Sequence, residues 1–269
     1  MTEHSNRPDS TTTAELAETL KFFHDSGATS ILHDTLLDDS ELPKISPAKD
    51  KARKRAANNA GILHWVTEAS DTACKCENLE ELCIAIRGFA GCEIKKTALN
   101  TVFSDGNPNS KIMLIGEAPG STEDREGRPF CGTSGMLLDK MFAAINLYRT
   151  TNMYISNSVF WRPPGNRKPT DFEIDVCRPF VEKHIALVNP DIVVMVGSTA
   201  CTSVLKSHDS ISRLRGRFHE YTNCFLTRNI TAMAIFHPAY LLRQPAQKRL
   251  AWEDLKMLRS YIQEKQSAI

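Results

Sequence analysis

The chain of 269 residues contains no uninterrupted apolar run of the length, about 18 residues, that a membrane-spanning helix needs. Its opening residues, MTEHSNRPDSTTT, have neither a basic start nor an apolar stretch, so they do not read as a secretory signal, and a cytoplasmic protein is expected. No C-x-x-C spacing occurs. Of the eight cysteines, Cys74 and Cys76 form C-x-C, while Cys83, Cys92, Cys131, Cys177, Cys201 and Cys224 are scattered. In a reducing compartment such cysteines bind metal or lie inert and buried rather than forming disulfides, and Cys201 and Cys224 read as small buried apolar side chains. No internal repeat is visible, and neither sign of charge dominates. With 33 Lys and Arg against 32 Asp and Glu, the net charge of +1 identifies no partner class, although a near-neutral total can hide a local basic face.

An apolar fraction of 41% is enough for the core of one large domain, or of one domain and an extension. The first residues are polar and read as disordered. Residues 14–26 have helical spacing through Leu16, Leu20, Phe22 and Phe23, and a weaker apolar patch covers 31–37. The segment 43–59, PKISPAKDKARKRAANN, is rich in Lys and Arg and almost free of large apolar residues. It reads as a solvated basic linker, which could also grip nucleic-acid phosphate. Residues 1–75 form an extension on this reading, and 76–269 form the main domain.

Within that domain, helical patterns at 78–89, 135–144, 172–188, 199–205 and 248–263 alternate with apolar runs at 112–115, 153–159, 192–196 and 232–236. A short strand is also expected after the basic segment ISRLRGRFHEY. Strands alternating with helices predict an α/β fold: a three-layer sandwich with a central four-stranded parallel sheet. The chain is organised around residues 111–135, KIMLIGEAPGSTEDREGRPFCGTSG, where a buried strand ends in a tight acidic turn that leads into a helix. Open parallel sheets place ligands at the carboxyl ends of their strands. Glu117 and Glu123, Asn157, Ser198 and His237 all lie just after or at such ends, so they are expected to converge on one cleft.

Each of these residues also has a plainer reading. Asn157 could present its amide to a ligand or be bonded to neighbouring backbone. His237 lies at an abrupt strand-to-loop corner beside Pro238, and Glu117 sits in a turn that glycines would allow to tighten. Phe130, in the polar segment GRPFCG, is either a stacking platform for a flat ligand or the residue that closes the loop onto the core.

Three stretches in order, GEAPGSTEDREGRPFCGTSGMLLD, YISNSVFWRPPGNRKPT and FHPAYLLRQP, closely resemble the family 4 uracil-DNA glycosylases of the uracil-DNA glycosylase superfamily. The resemblance covers roughly residues 91–262. It implies a four-stranded parallel sheet between helices and hydrolysis of the bond joining uracil to deoxyribose in DNA. Position by position, it implies that Glu117 is the acidic residue of the catalytic motif, with Glu123 as second acid and His237 as donor to the leaving base. It implies a uracil pocket of Ala118, Phe130 and Asn157, and a loop from His237 through Tyr240, Leu241, Leu242 and Arg243 that enters the duplex. Arg215, in the basic segment with Arg213 and Arg217, is a further candidate for DNA contact.

Members of that family commonly hold a four-iron cluster through four cysteines. Here the corresponding positions are Phe89, Cys92, Trp161 and Cys177, so only two thiols remain where such clusters need four. Absence of the cluster is expected, with Phe89 and Trp161 filling its space, unless Cys74, Cys76 or Cys83 substitutes. The chemistry itself requires no metal on this reading. The expected protein is a monomeric DNA-repair glycosylase acting on uracil-containing DNA, with a protein partner conceivable for residues 1–75. Two other classes stay open: a DNA-damage-binding module or replication partner that keeps the base pocket without turnover, and a hydrolase of free nucleosides or nucleotides.

Overall fold

The structure, a computed structural model, describes residues 48–267, with side chains described over 61–265. The helical and apolar patterns at 14–26 and 31–37 lie outside the described residues. The backbone Ala48–Cys74 is a single helix, α1. The second half of the basic segment is therefore helical rather than irregular linker: after Pro47 it holds neither Pro nor Gly, and its Ala, Lys and Arg are strong helix formers. Further along α1, Ala69 and Ala73 are fully buried, and Trp65 and Val66 lean on the same core. Packing thus reaches upstream of residue 76.

Helix α2, Leu79–Gly88, starts at Asn78, whose side chain accepts a hydrogen bond from the Glu81 N–H. Among the described residues six strands form one sheet: β1 (Asp105–Gly106), β2 (Ile112–Gly116), β3 (Tyr154–Asn157), β4 (Ile192–Val196), β5 (Phe218–Tyr221) and β6 (Ile230–Ile235), in the order β1-β3-β2-β4-β6-β5. The four inner strands are parallel, as expected. Short antiparallel strands at both edges bring the sheet to six: β5 forms at the end of the basic segment, where a short strand is expected, and β1 is not foreseen. β1 is only a residue pair inside the segment read as a turn, and β5 exposes alternate residues, so neither has the pattern of a buried strand.

The remaining helices are α3 (Ser121–Glu126), α4 (Thr133–Ala143), α5 (Asp171–Val188), α6 (Ser198–Leu205), α7 (Ile211–Leu214), α8 (Pro238–Arg243) and α9 (Lys248–Ser267). Period-2 alternation divides the inner strands between two cores. Met113, Ile115, Val193, Met195, Ala232 and Ala234 share one cluster with Leu82 and Ile86 of α2, Val176 and Phe180 of α5, and Cys201 of α6. Leu114, Ile155, Val194, Val196, Met233 and Ile235 share the other with Leu138 and Phe142 of α4 and Leu255 and Leu258 of α9. Helices therefore cover both faces and leave the strand ends to the cleft. Cys201 is buried as expected, but Cys224 is exposed, in a turn built on Asn223, whose side chain accepts from the Phe225 N–H. No helix among the described residues is long and apolar enough to cross a membrane.

Candidate active site

The carboxyl ends of β2, β3, β4 and β6 open on one cavity of about 780 Å³. Glu117, Ala118, Glu123, Phe130, Asn157, Ser198, His237, Tyr240 and Arg243 all line it. The parallel register explains the convergence, because Gly116 pairs with Asn157 across β2 and β3 and Val196 pairs with Ile235 across β4 and β6. Gly116 permits a close approach: a Cβ there would lie 2.4 Å from Asn157 Oδ1 and 2.5 Å from the Phe130 ring. The pocket floor is thus Asn157 and Phe130 pressed against bare backbone.

Asn157 is buried and lines the cavity, its Oδ1 set against the Gly116 backbone. Phe130 packs into the core and also borders the cavity, its ring 5.7 Å from that of His237. Its backbone is held at φ 52, an unusual value for an aromatic residue. Arg149 holds it there, donating to Phe130 O at 2.9 Å and Pro129 O at 3.2 Å. Asp105 and Asp139 fix that guanidinium by ion pairs of 2.7 and 2.8 Å. Gly135 completes the clamp, since a Cβ on it would strike Phe130 O. Nothing in the local sequence marks Arg149, whose partners are far apart along the chain.

The two acids differ. Glu117 Oε2 accepts a 2.5 Å hydrogen bond from Thr199 Oγ1 in the first turn of α6. Glu123 also lines the cavity, but its carboxylate is occupied by backbone: it accepts from the N–H groups of Gly120 (3.1 Å), Cys131 (3.1 Å) and Gly132 (2.8 Å). That binding ties the start of α3 to the Phe130 turn, a positioning task.

His237 is the N-cap of α8, and its Nδ1 accepts from the Ala239 N–H at 3.1 Å. A ring that accepts at Nδ1 carries its proton at Nε2. Burial pushes the imidazole's pKa below its ordinary value; Glu117 opposes this and Arg243 reinforces it. Burial thus favours the neutral ring, and the Ala239 bond leaves Nε2 as its donor. Gly197, at φ 96, lies against it, with space for a Cβ only 3.0 Å from His237 Cβ.

Two of the expected DNA contacts are corrected. Arg215 is turned inward: its guanidinium grips both carboxylate oxygens of Asp254 at 2.7 and 2.8 Å and donates to Leu250 O at 2.7 Å. Leu241 is buried with Phe236 and Ala251 and anchors α8 from below. Leu242 is exposed, and Arg243 is exposed beside it. The expected duplex-entering loop is a short helix, because Pro238 at its first position and the His237 cap start one. A cation that the sequence did not single out, Arg167, also lines the cavity; it is held by Glu173 Oε1 and Oε2 at 2.6 and 2.8 Å.

Phe89, Cys92, Trp161 and Cys177 are all buried in one core cluster. Phe89 meets Phe180 edge-on at 5.1 Å and Trp65 at 6.0 Å. Trp161 Nε1 donates to Thr101 Oγ1 at 3.0 Å. Burial, then a hydrogen bond to Cys92, holds the Cys177 thiol protonated. Among the described residues no group of three or more His, Cys, Asp or Glu side chains has the arrangement of a metal site. Two thiols with aromatic neighbours do not fit a four-thiolate cluster.

A sequence profile described as the Uracil DNA glycosylase superfamily matches residues 103–256. The Type-4 uracil-DNA glycosylase of Archaeoglobus fulgidus is 32% identical over 197 residues, which is 72% of this chain and 98% of that protein. The Type-4 uracil-DNA glycosylase of Thermotoga maritima is 33% identical over 189 residues, 69% of this chain and 95% of that one. That of Saccharolobus solfataricus is 32% identical over 193 residues, covering 70% and 88%.

Proposed function

The chain belongs to the uracil-DNA glycosylase superfamily, and on that premise we propose the division of labour by which it excises uracil from DNA. It is a DNA-repair hydrolase of N-glycosyl bonds. The observation that carries the assignment of roles is the convergence of His237, Glu117, Asn157 and Phe130 on one cavity at the strand ends.

A base stacked in a duplex is out of reach, so the nucleotide swings out, at a cost of about a few kcal/mol. Leu242 and Tyr240 supply an apolar wedge that offsets this, and Arg243 with Arg167 meets the phosphates. The flipped uracil stacks on Phe130. Asn157 donates to uracil O4 and accepts from N3–H, a pattern that cytosine reverses. As the N1–C1′ bond breaks, its electron pair leaves with the base. The Nε2–H of His237 then donates to the uracil oxygen where charge grows, a role for which a neutral, preoriented ring is suited. Glu117 faces the cation-like sugar and orients the water that adds to C1′. Ala118 lines the pocket beside it.

The reading extends to the cofactor and location. With aromatic side chains at two of the four ligand positions, the protein folds and turns over without an iron–sulfur cluster, and it works in the cytoplasm. Time-resolved uracil release from an oligonucleotide, with free deoxyuridine as control, tests the function. Release from the oligonucleotide alone is expected. Tight binding without release would instead favour a damage-binding module, and release from deoxyuridine a nucleoside hydrolase. Asn157→Asp is expected to gain activity on cytosine; an unchanged base preference would remove Asn157 from edge reading.

A further inference from the structure

The corner between β4 and α6 touches both candidate catalytic groups. Gly197, with φ 96, lies flat against His237, and two residues later Thr199 hydrogen-bonds Glu117. Thr199 is fully buried, at the first turn of a helix whose cap position, Gly197, offers no side chain to the exposed N–H groups. Its hydroxyl crosses from the β4 end to the β2 end and bonds a residue 82 positions away. A buried Thr in a helix can satisfy its hydroxyl on the carbonyl one turn back; this one bonds a carboxylate in the active cavity instead.

We propose that Thr199 is a positioning residue for the reaction: it fixes the rotamer of Glu117, leaving Oε1 for the attacking water or the sugar. The proposal rests on the reading of Glu117 as the catalytic acid. The titratable groups facing the same space are His237, whose pKa Glu117 raises against the effect of burial, and Glu123 and Arg243 around that imidazole. Glu123 is engaged by backbone amides, so Thr199 is the side chain that acts on Glu117 directly.

Thr199→Val keeps the shape and β-branching and removes the donor, and Thr199→Ser keeps the donor. In single-turnover uracil release from a single-stranded oligonucleotide, Thr199→Val should be slower by roughly tenfold or more, the range of a hydrogen bond to a charged group. Oligonucleotide affinity should be unchanged. Thr199→Ser should recover most of the rate. In an E117Q background, Thr199→Val should have little further effect. Equal impairment by Thr199→Ser, or an undiminished further loss from Thr199→Val in the E117Q background, would show a merely structural role and overturn the proposal; so would an undiminished Thr199→Val rate. E117Q at the full rate would instead sink the assignment of Glu117 itself. A melting curve for each variant separates these outcomes from misfolding.

Discussion

The cavity at the strand ends and the buried corner around Cys92 and Cys177 follow opposite logics. In the cavity three groups are each oriented by a second group: Glu117 by Thr199, His237 by the Ala239 amide, and the Phe130 backbone by Arg149. At the corner, packing does the holding. Phe89 and Trp161 stand where the family resemblance places thiolates, and they are held by Phe180, Trp65 and the Thr101 hydroxyl. The stiff loop between Trp161 and Thr170, which contributes Pro163, Asn166 and Arg167 to the cavity wall, is secured by the Trp161 indole at one end and by the Arg167–Glu173 pair with the Thr170 helix cap at the other. Chemistry demands particular atoms, whereas anchoring a loop demands only that something fill the space and satisfy the hydrogen bonds.

If this contrast is right, substitutions at the corner damage stability and substitutions in the cavity damage rate. The largest effect is expected for Phe89→Ala, which should destabilise the fold by about 3–5 kcal/mol through cavity formation, read as a fall in the denaturant midpoint. Its folded fraction should release uracil at a near-normal rate; a rate collapse at unchanged stability would erase the distinction. His237→Ala should behave in the opposite way, slowing release by roughly a hundredfold or more with little change in DNA affinity. Equal losses of binding and rate would remove His237 from the chemistry.

A third test uses pH. His184, fully buried on the corner side, bonds the Tyr154 hydroxyl through Nε2 and stacks on Phe103 at 4.3 Å. Burial pushes its pKa down to about 3. A folded-state pKa below the unfolded one means stability that is complete above the unfolded value and is lost as pH falls below it. Acidifying from pH 7 to 5 should therefore cost about 2 kcal/mol, and His184→Gln should remove most of that slope in urea midpoints. An identical slope in both proteins would show that other groups carry it. The smallest effect is expected at the cavity mouth: Leu242→Ala should weaken excision from duplex by a few-fold while sparing single strands, since only the duplex requires a wedge. Equal losses on both substrates would refute that role.

Much of the site was legible because it lies at strand ends, where local pattern and fold class together place residues. The inner strands, the acidic turn and the convergence of Glu117, Asn157 and His237 follow from apolar runs and breaks. What was not legible depends on long-range partners. Arg215 reads as a basic-patch residue until Asp254, on a distant helix, turns it inward. Leu241 and Leu242 are adjacent and chemically alike, and only the angle of α8 buries one and exposes the other. Glu123 reads as an acid, and its hold on the Cys131 and Gly132 amides is not written in its own turn. Arg149 and Thr199 carry no local signal at all.

The central claim is that the glycosylase cavity works on a scaffold whose buried corner is an aromatic core rather than a cluster site. Iron content and uracil release, measured on one sample of the full chain purified without air, test it most directly. The account predicts rapid release by protein containing no stoichiometric iron. Stoichiometric iron with cluster absorbance, and activity that disappears when it is removed, would contradict it.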